Sequence, residues 1–170
     1  DLDLYTCDID GSNIKRITKK LGYDGGAFFS PDGQYLVWRA SRPEIGEPVD
    51  QYVQLLQKGL VQPTEMELYM SRVDGTEIRQ ITNLGGANWA PYFHPDGKHI
   101  LFSSNHKTKA FPFNIFMTDV NGMEPVQLSF DNAFDSFPMF SPDGKRLAFS
   151  SNRYNGRTRS TNVFLADWVE

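Results

Sequence analysis

The chain has 170 residues, enough for one sizeable hydrophobic core. Hydrophobic residues make up 39% and charged residues 22%, which excludes a disordered chain, and no apolar run nears the roughly 20 residues that cross a bilayer as a helix. The formal charge is −4 and no basic block or arginine stripe occurs, which argues against nucleic acid as a partner.

The first predicted strand is "LYTCDI", residues 4–9. Asp10-Gly11 turns it into "IKRIT" at 14–18. Cys7 is the only cysteine, so no internal disulfide forms and the compartment cannot be read from disulfides. The alternation around it predicts a small buried side chain. Next come "GGAFF" at 25–29, the turn Ser30-Pro31-Asp32-Gly33, and "YLVW" at 35–38. Proline presets φ in such a turn and glycine closes it in the left-handed region. Residues 42–66 then form an insertion. A short helix is expected within 48–60, with Val49, Tyr52, Val53, Leu55 and Leu56 on one apolar side, Gly59 ending it and Pro63 blocking continuation. Its role is either to cap blade edges or to shape a partner site.

The pattern then returns. "ELYMSRV", Asp74-Gly75 and "IRQIT" repeat the opening; "NWAPYF", Pro95-Asp96-Gly97 and "HILF" repeat the hairpin. "NIFMTDV", Asn121-Gly122 and "PVQLS" follow, then "SFPMF", Pro142-Asp143-Gly144 and "RLAF", and finally "TNVFLADW" at 161–168. From Gly11 to Gly33, Gly75 to Gly97 and Gly122 to Gly144 the distance is always 22 residues. Four short strands per unit, at a period in the forties, predict four-stranded antiparallel propeller blades. The strands flanking Pro-Asp-Gly are apolar on both sides, as expected for sheets sandwiched between two neighbours. The fold class is therefore all-β: a β-propeller of about three blades, half of a six-bladed ring, with one short helix in an insertion. The repeat units run at about 1–18, 24–82, 87–129 and 134–168, within a single domain or half-ring over 1–170.

The stretch "FSPDGKRLAFSSNR" preceded by "DSFP", together with "YFHPDGKHILFSSN" and "TNVFLADW", resembles the repeat of TolB-type β-propellers, the periplasmic component of the Tol system. The resemblance covers nearly the whole chain apart from the insertion. It implies a noncatalytic protein-binding or scaffold module, cell-envelope protein partners and a periplasmic setting. Similar blades also occur beside peptidase domains, so a propeller accessory to a peptidase or other hydrolase is the alternative. A glycan-binding propeller is a third. Three inner hairpins are half the number the family's rings imply. The expectation is a homodimer completing six blades, or a fragment of a longer chain. The chain starts at Asp1 without a signal sequence, which does not exclude export.

No nucleophile elbow, zinc-protease helix or phosphate loop is present, so no catalytic residues, metal or cofactor are expected. His94, Asp96 and His99 sit at turn and strand positions, where a metal site is the minor reading. "DIDGSN" at 8–13 reads as a hairpin turn rather than a calcium loop. The predicted topology puts all long loops on one face of the ring. Asp24, Asn88 and Asp135 begin equivalent inner strands on that face and form a candidate ligand site at the channel mouth. The alternative is that they hydrogen-bond adjacent loops. Asn105, His106, Asn152 and Arg153 follow on the same side as a candidate rim.

Overall fold

The computed structural model describes residues 1–156, 158 and 160–169. The stretch "RYNGRTR" at 153–159 is locally basic and reads from its sequence as a solvated loop; its Arg157 and Arg159 lie outside the described residues. Strands β1 (Tyr5–Thr6) and β2 (Lys15–Arg16) pair as a two-stranded sheet. The first full blade holds β3 (Asp24–Phe29), β4 (Tyr35–Ala40), β5 (Glu67–Arg72) and β6 (Arg79–Gln80), in that order, with helix α1 (Glu47–Gln57) between β4 and β5. The second holds β7 (Asn88–Phe93), β8 (His99–Ser104), β9 (Asn114–Asp119) and β10 (Val126–Gln127). A last, three-stranded sheet holds β11 (Asp135–Phe140), β12 (Arg146–Ser151) and β13 (Asn162–Asp167). All ladder pairs are antiparallel between chain neighbours. Strand β7 lies against β3 on one side and β11 on the other, so the first strand of each blade is innermost. The molecule is a segment of a β-propeller.

Three apolar layers hold the sheets together, one at each junction. Ile17, Leu36, Trp38 and Ala40 fill the first. Val37, Leu68, Met70, Ile81, Phe93, Ile100, Phe102 and Phe116 fill the second. Leu101, Ile115, Phe140 and Leu147 fill the third. In β4, Val37 points one way while Leu36 and Trp38 point the other; β8 divides its Ile100 and Phe102 from Leu101 in the same manner. That is why these strands carry no polar alternation. Each fully buried large side chain contributes roughly 1.5–3 kcal/mol, and Trp38, Phe102 and Phe116 lead the group.

The recurring "RIT", "QIT" and "QLS" have a common task. The Oγ of Thr18, Thr82 and Ser129 accepts the backbone N–H of Leu4, Leu68 and Ile115 at 2.9 Å each. A side-chain hydroxyl thus replaces a ladder carbonyl, and the outer strands shorten to two residues. The inner strands each carry an irregularity, between Gly25 and Phe28, Trp89 and Tyr92, and Ser136 and Met139. Positive φ values occur there at Gly26 (67°), Ala90 (48°) and Phe137 (55°). Only the first is relaxed by glycine; the other two hold local strain.

Helix α1 falls where expected. Pro48 occupies its first turn, where no N–H partner is needed, and Gly59 follows its end at φ 70°. Its apolar side is narrower than predicted: Tyr52 is buried, whereas Val53 is exposed. The Tyr52 hydroxyl donates to the Gly22 carbonyl at 2.7 Å and latches the helix to the first blade. Cys7 is also exposed rather than buried. Strand β1 ends at Thr6 in a two-stranded sheet, so Cys7 lies beyond the pairing that would have covered it.

Candidate functional site

Inner strands begin, and second strands end, on the face that carries the long loops. Asp24, Asn88 and Asp135 each start an inner strand there, and each donates its backbone N–H to the preceding sheet, at Leu2, Met66 and Phe113. The spacing is 22 residues in every case. One parallel bridge beside each bond completes the link between blades.

The side chains of the three residues are buried, at 3%, 0% and 0% exposure. Asp24 accepts from Trp38 Nε1 at 2.7 Å and pairs with Arg42 at 2.5 Å. Asp135 pairs with Arg153 at 2.7 Å, and Arg153 also reaches Asp131 at 2.7 Å. Asn88 donates to the Met66 carbonyl at 2.9 Å and accepts from Ser104 Oγ at 2.6 Å. Two carboxylate oxygens, Asp24 Oδ2 and Asp135 Oδ1, have no hydrogen-bond partner among the described residues.

The rim residues belong to the same layer. Asn105 and Asn152 each accept a backbone N–H with Oδ1, from Ala87 and Phe134, both at 2.8 Å. His106 contacts Ser104 Oγ through Nδ1 at 2.9 Å and lies over Phe116. Burial pushes its pKa below the ordinary value, and Lys107 and Lys109 push the same way. Ser104 and His106 do not make an activated nucleophile. The hydroxyl is buried and its proton goes to Asn88.

Arg42 was not singled out in the sequence, yet it stands 18 residues after Asp24, as His106 stands after Asn88 and Arg153 after Asp135. That constant offset was the available signal. The sequence also hid a groove of about 550 Å³ at the outer edge, between the first sheet and the first full blade. Lys15, Arg16, Lys19, Lys20, Arg42 and Arg79 line it against a single acid, Asp74. The corresponding cleft one blade on, lined by 80–84 and 122–125, has Glu124 as its only charge.

Stacked four-stranded antiparallel blades with inner strands side by side define a propeller. The family model described as the TolB beta propeller domain matches residues 60–159. The chain belongs to that family. A TolB homolog of Chlorobium luteolum is 26% identical over 124 residues, covering 60% of this chain and 28% of that protein. Among solved structures, TolB from Acinetobacter baumannii superposes with a TM-score of 0.72 at 20% identity, over 98% of this chain and 35% of that one. A TolB candidate from Agrobacterium tumefaciens gives 0.71 at 24%, over 97% and 52%. The chain thus spans about a quarter to a half of these relatives. The same fold occurs in a puromycin-hydrolyzing peptidase of Mycobacterium tuberculosis, with a TM-score of 0.59 at 18% identity over 85% of this chain and 20% of that one.

Proposed function

We propose that this chain forms part of a noncatalytic propeller that binds cell-envelope proteins in the periplasm, with its loop-bearing face as the contact surface. Membership of the TolB propeller family supports the setting and the class of partner. The observation that carries the reading is the commitment of the polar side chains on that face. Asp24, Asn88 and Asp135, with Asn105, His106, Asn152 and Arg153, each engage loop backbone, a neighbouring blade or one another. Residues so engaged hold loops in place, and rigidly held loops suit recognition. In this reading the seven residues act by ordering the face, and contact falls to exposed side chains beside them. Lys15, Lys19 and Lys20 form no ion pair among the described residues, and an acidic partner segment would fit the groove they line.

The reading extends to assembly. Val163 and Leu165 on β13 are 74% and 68% exposed. Propeller strands with such side chains pack against a further blade, and we place that blade in a second copy or in further sequence of the same ring. The alternative function, a propeller serving a hydrolase domain, is favoured by the fold's occurrence in the mycobacterial peptidase.

A photo-crosslinking residue at Lys20, and separately at Lys145 on the opposite face, tests the surface in cells. Adducts at the first position and none at the second are expected. The reverse would overturn the assignment. Peptide or ester turnover by the purified chain that vanishes on Ser104→Ala would overturn the noncatalytic reading.

A further inference from the structure

The three Pro-Asp-Gly turns are not chemically alike. In the first blade the Ser30 hydroxyl accepts the Tyr35 N–H at 2.9 Å, while Asp32 Oδ1 accepts the Gln34 N–H at 3.0 Å. The last hairpin repeats this with Ser141, Arg146, Asp143 and Lys145. The middle turn has His94 where the others have serine, and His99 where they have Tyr35 and Arg146. With no hydroxyl available, Asp96 Oδ1 takes both N–H groups, from Lys98 at 2.7 Å and His99 at 3.0 Å. This leaves Asp96 Oδ2 facing both rings, 2.6 Å from His99 Nδ1 and 3.2 Å from His94 Nδ1.

We propose that His94, Asp96 and His99 form a binding site for a divalent transition metal of the zinc class. Their donor atoms all lie within 4.8 Å of one another. Two imidazoles and one carboxylate suit such a metal, at about 2.0–2.2 Å from each donor with water completing a tetrahedron. Binding opens the 2.6 Å contact between His99 Nδ1 and Asp96 Oδ2 to the roughly 3.3–3.5 Å that separates two donors on a tetrahedral ion. His94 Nδ1 accepts the Asp96 backbone N–H at 3.1 Å. That bond occupies the nitrogen's one in-plane lone pair, so a metal would bind there by displacing the N–H, and at His99 Nδ1 by replacing its contact with Asp96 Oδ2.

The surroundings are ordered as well. The His94 ring packs on Phe140 of the next sheet at 4.7 Å and on Trp168, just past that sheet's last strand, at 5.4 Å. The backbone N–H groups on Oδ1 fix the carboxylate in the way outer partners orient metal ligands. All three side chains keep a path to solvent, at 17%, 33% and 36% exposure. A metal here would pin the middle turn and, through His94, brace it against the next sheet. None of these residues belongs to the loop-bearing face, so the site is independent of the proposed partner surface.

Titration of the untagged chain with zinc at neutral pH, by calorimetry and thermal melting, tests the site. One zinc per chain and a raised melting temperature are expected. His94→Ser with His99→Tyr rebuilds the turn of the first blade, so it retains the fold while removing two ligands. It should weaken zinc binding on the order of 100-fold and abolish the thermal shift. Asp96→Asn should weaken it by about tenfold. Cys7→Ser and His106→Gln should leave it unchanged. Absence of zinc uptake by the folded wild type at millimolar zinc would overturn the site. So would uptake that survives the double substitution, or that is lost with Cys7 or His106.

Discussion

Two of the three loop-face links are ionic and the middle one is neutral. Asp24 meets Arg42 and Asp135 meets Arg153, whereas Asn88 meets Ser104, which meets His106. All three sites nevertheless deliver the same backbone bond to the preceding sheet. The fold therefore requires the backbone link and tolerates different side-chain chemistry around it. The apolar layers permit no such freedom, because strand β4 or β8 must fill a layer on each side. Repetition is strict where shape matters and loose where a hydrogen bond can be made in several ways.

The contrast can be broken first at a layer. Phe102→Ala removes a fully buried ring from the central layer and should cost about 3–5 kcal/mol in urea unfolding. A loss below about 1 kcal/mol would mean that the layers repack freely. Next comes an ionic link. Asp135→Ala leaves Arg153 without its buried partner and should cost about 3 kcal/mol. Retained stability would show the pair to be dispensable.

The neutral link can be converted into the ionic kind. Asn88→Asp places a carboxylate where Asn88 Nδ2 now meets Glu67 at 3.2 Å, and should cost about 2 kcal/mol. Adding His106→Arg recreates the pairing of the other two sites and should recover about 1 kcal/mol in a double-mutant cycle. Additive losses would mean that the equal offset does not carry equal geometry. The smallest effect is on pH. Folded His106 binds its proton less readily than an ordinary histidine at 6.5. Below that value the unfolded chain holds the extra proton first. The contribution is thus fully present above 6.5 and lost as pH falls toward the lower folded pKa. Urea midpoints across this window should decline less steeply in His106→Gln. Identical slopes would remove His106 from the account.

Much of the architecture was legible because turns and strand polarity are local. Ser30-Pro31-Asp32-Gly33 announces a hairpin, and a strand such as "YLVW" announces two apolar faces. At Asp24, Asn88 and Asp135 the sequence offered loop hydrogen bonding beside ligand binding, but it did not name the partners. Their position on inner strands was legible, but burial depends on Arg42 and Arg153 folding back from beyond the second strand and on Ser104 at the end of β8. The groove escaped for a similar reason: its cations come from 15–20, 42 and 79. Strain at Ala90 and Phe137 left no trace either, since only Gly26 among the three equivalents is a residue that advertises positive φ.

The inter-blade bond measures chain length. It joins Leu2 to Asp24, Met66 to Asn88 and Phe113 to Asp135, and between the members of every pair the count of residues is fixed. A residue gained or lost there would slide one blade against the next. The connection from second to third strand lies outside every such interval. It runs through 41–66 in the first blade and only 105–113 in the second. Helix α1 sits in a connection that the ruler does not read; the Pro-Asp-Gly turns also lie outside it, but their own hydrogen bonds hold them to one length. Lineages carrying this repeat can therefore acquire or discard whole elements at that connection without disturbing the angular step of the ring, and shape diversity should accumulate there while the other loops stay constant in length.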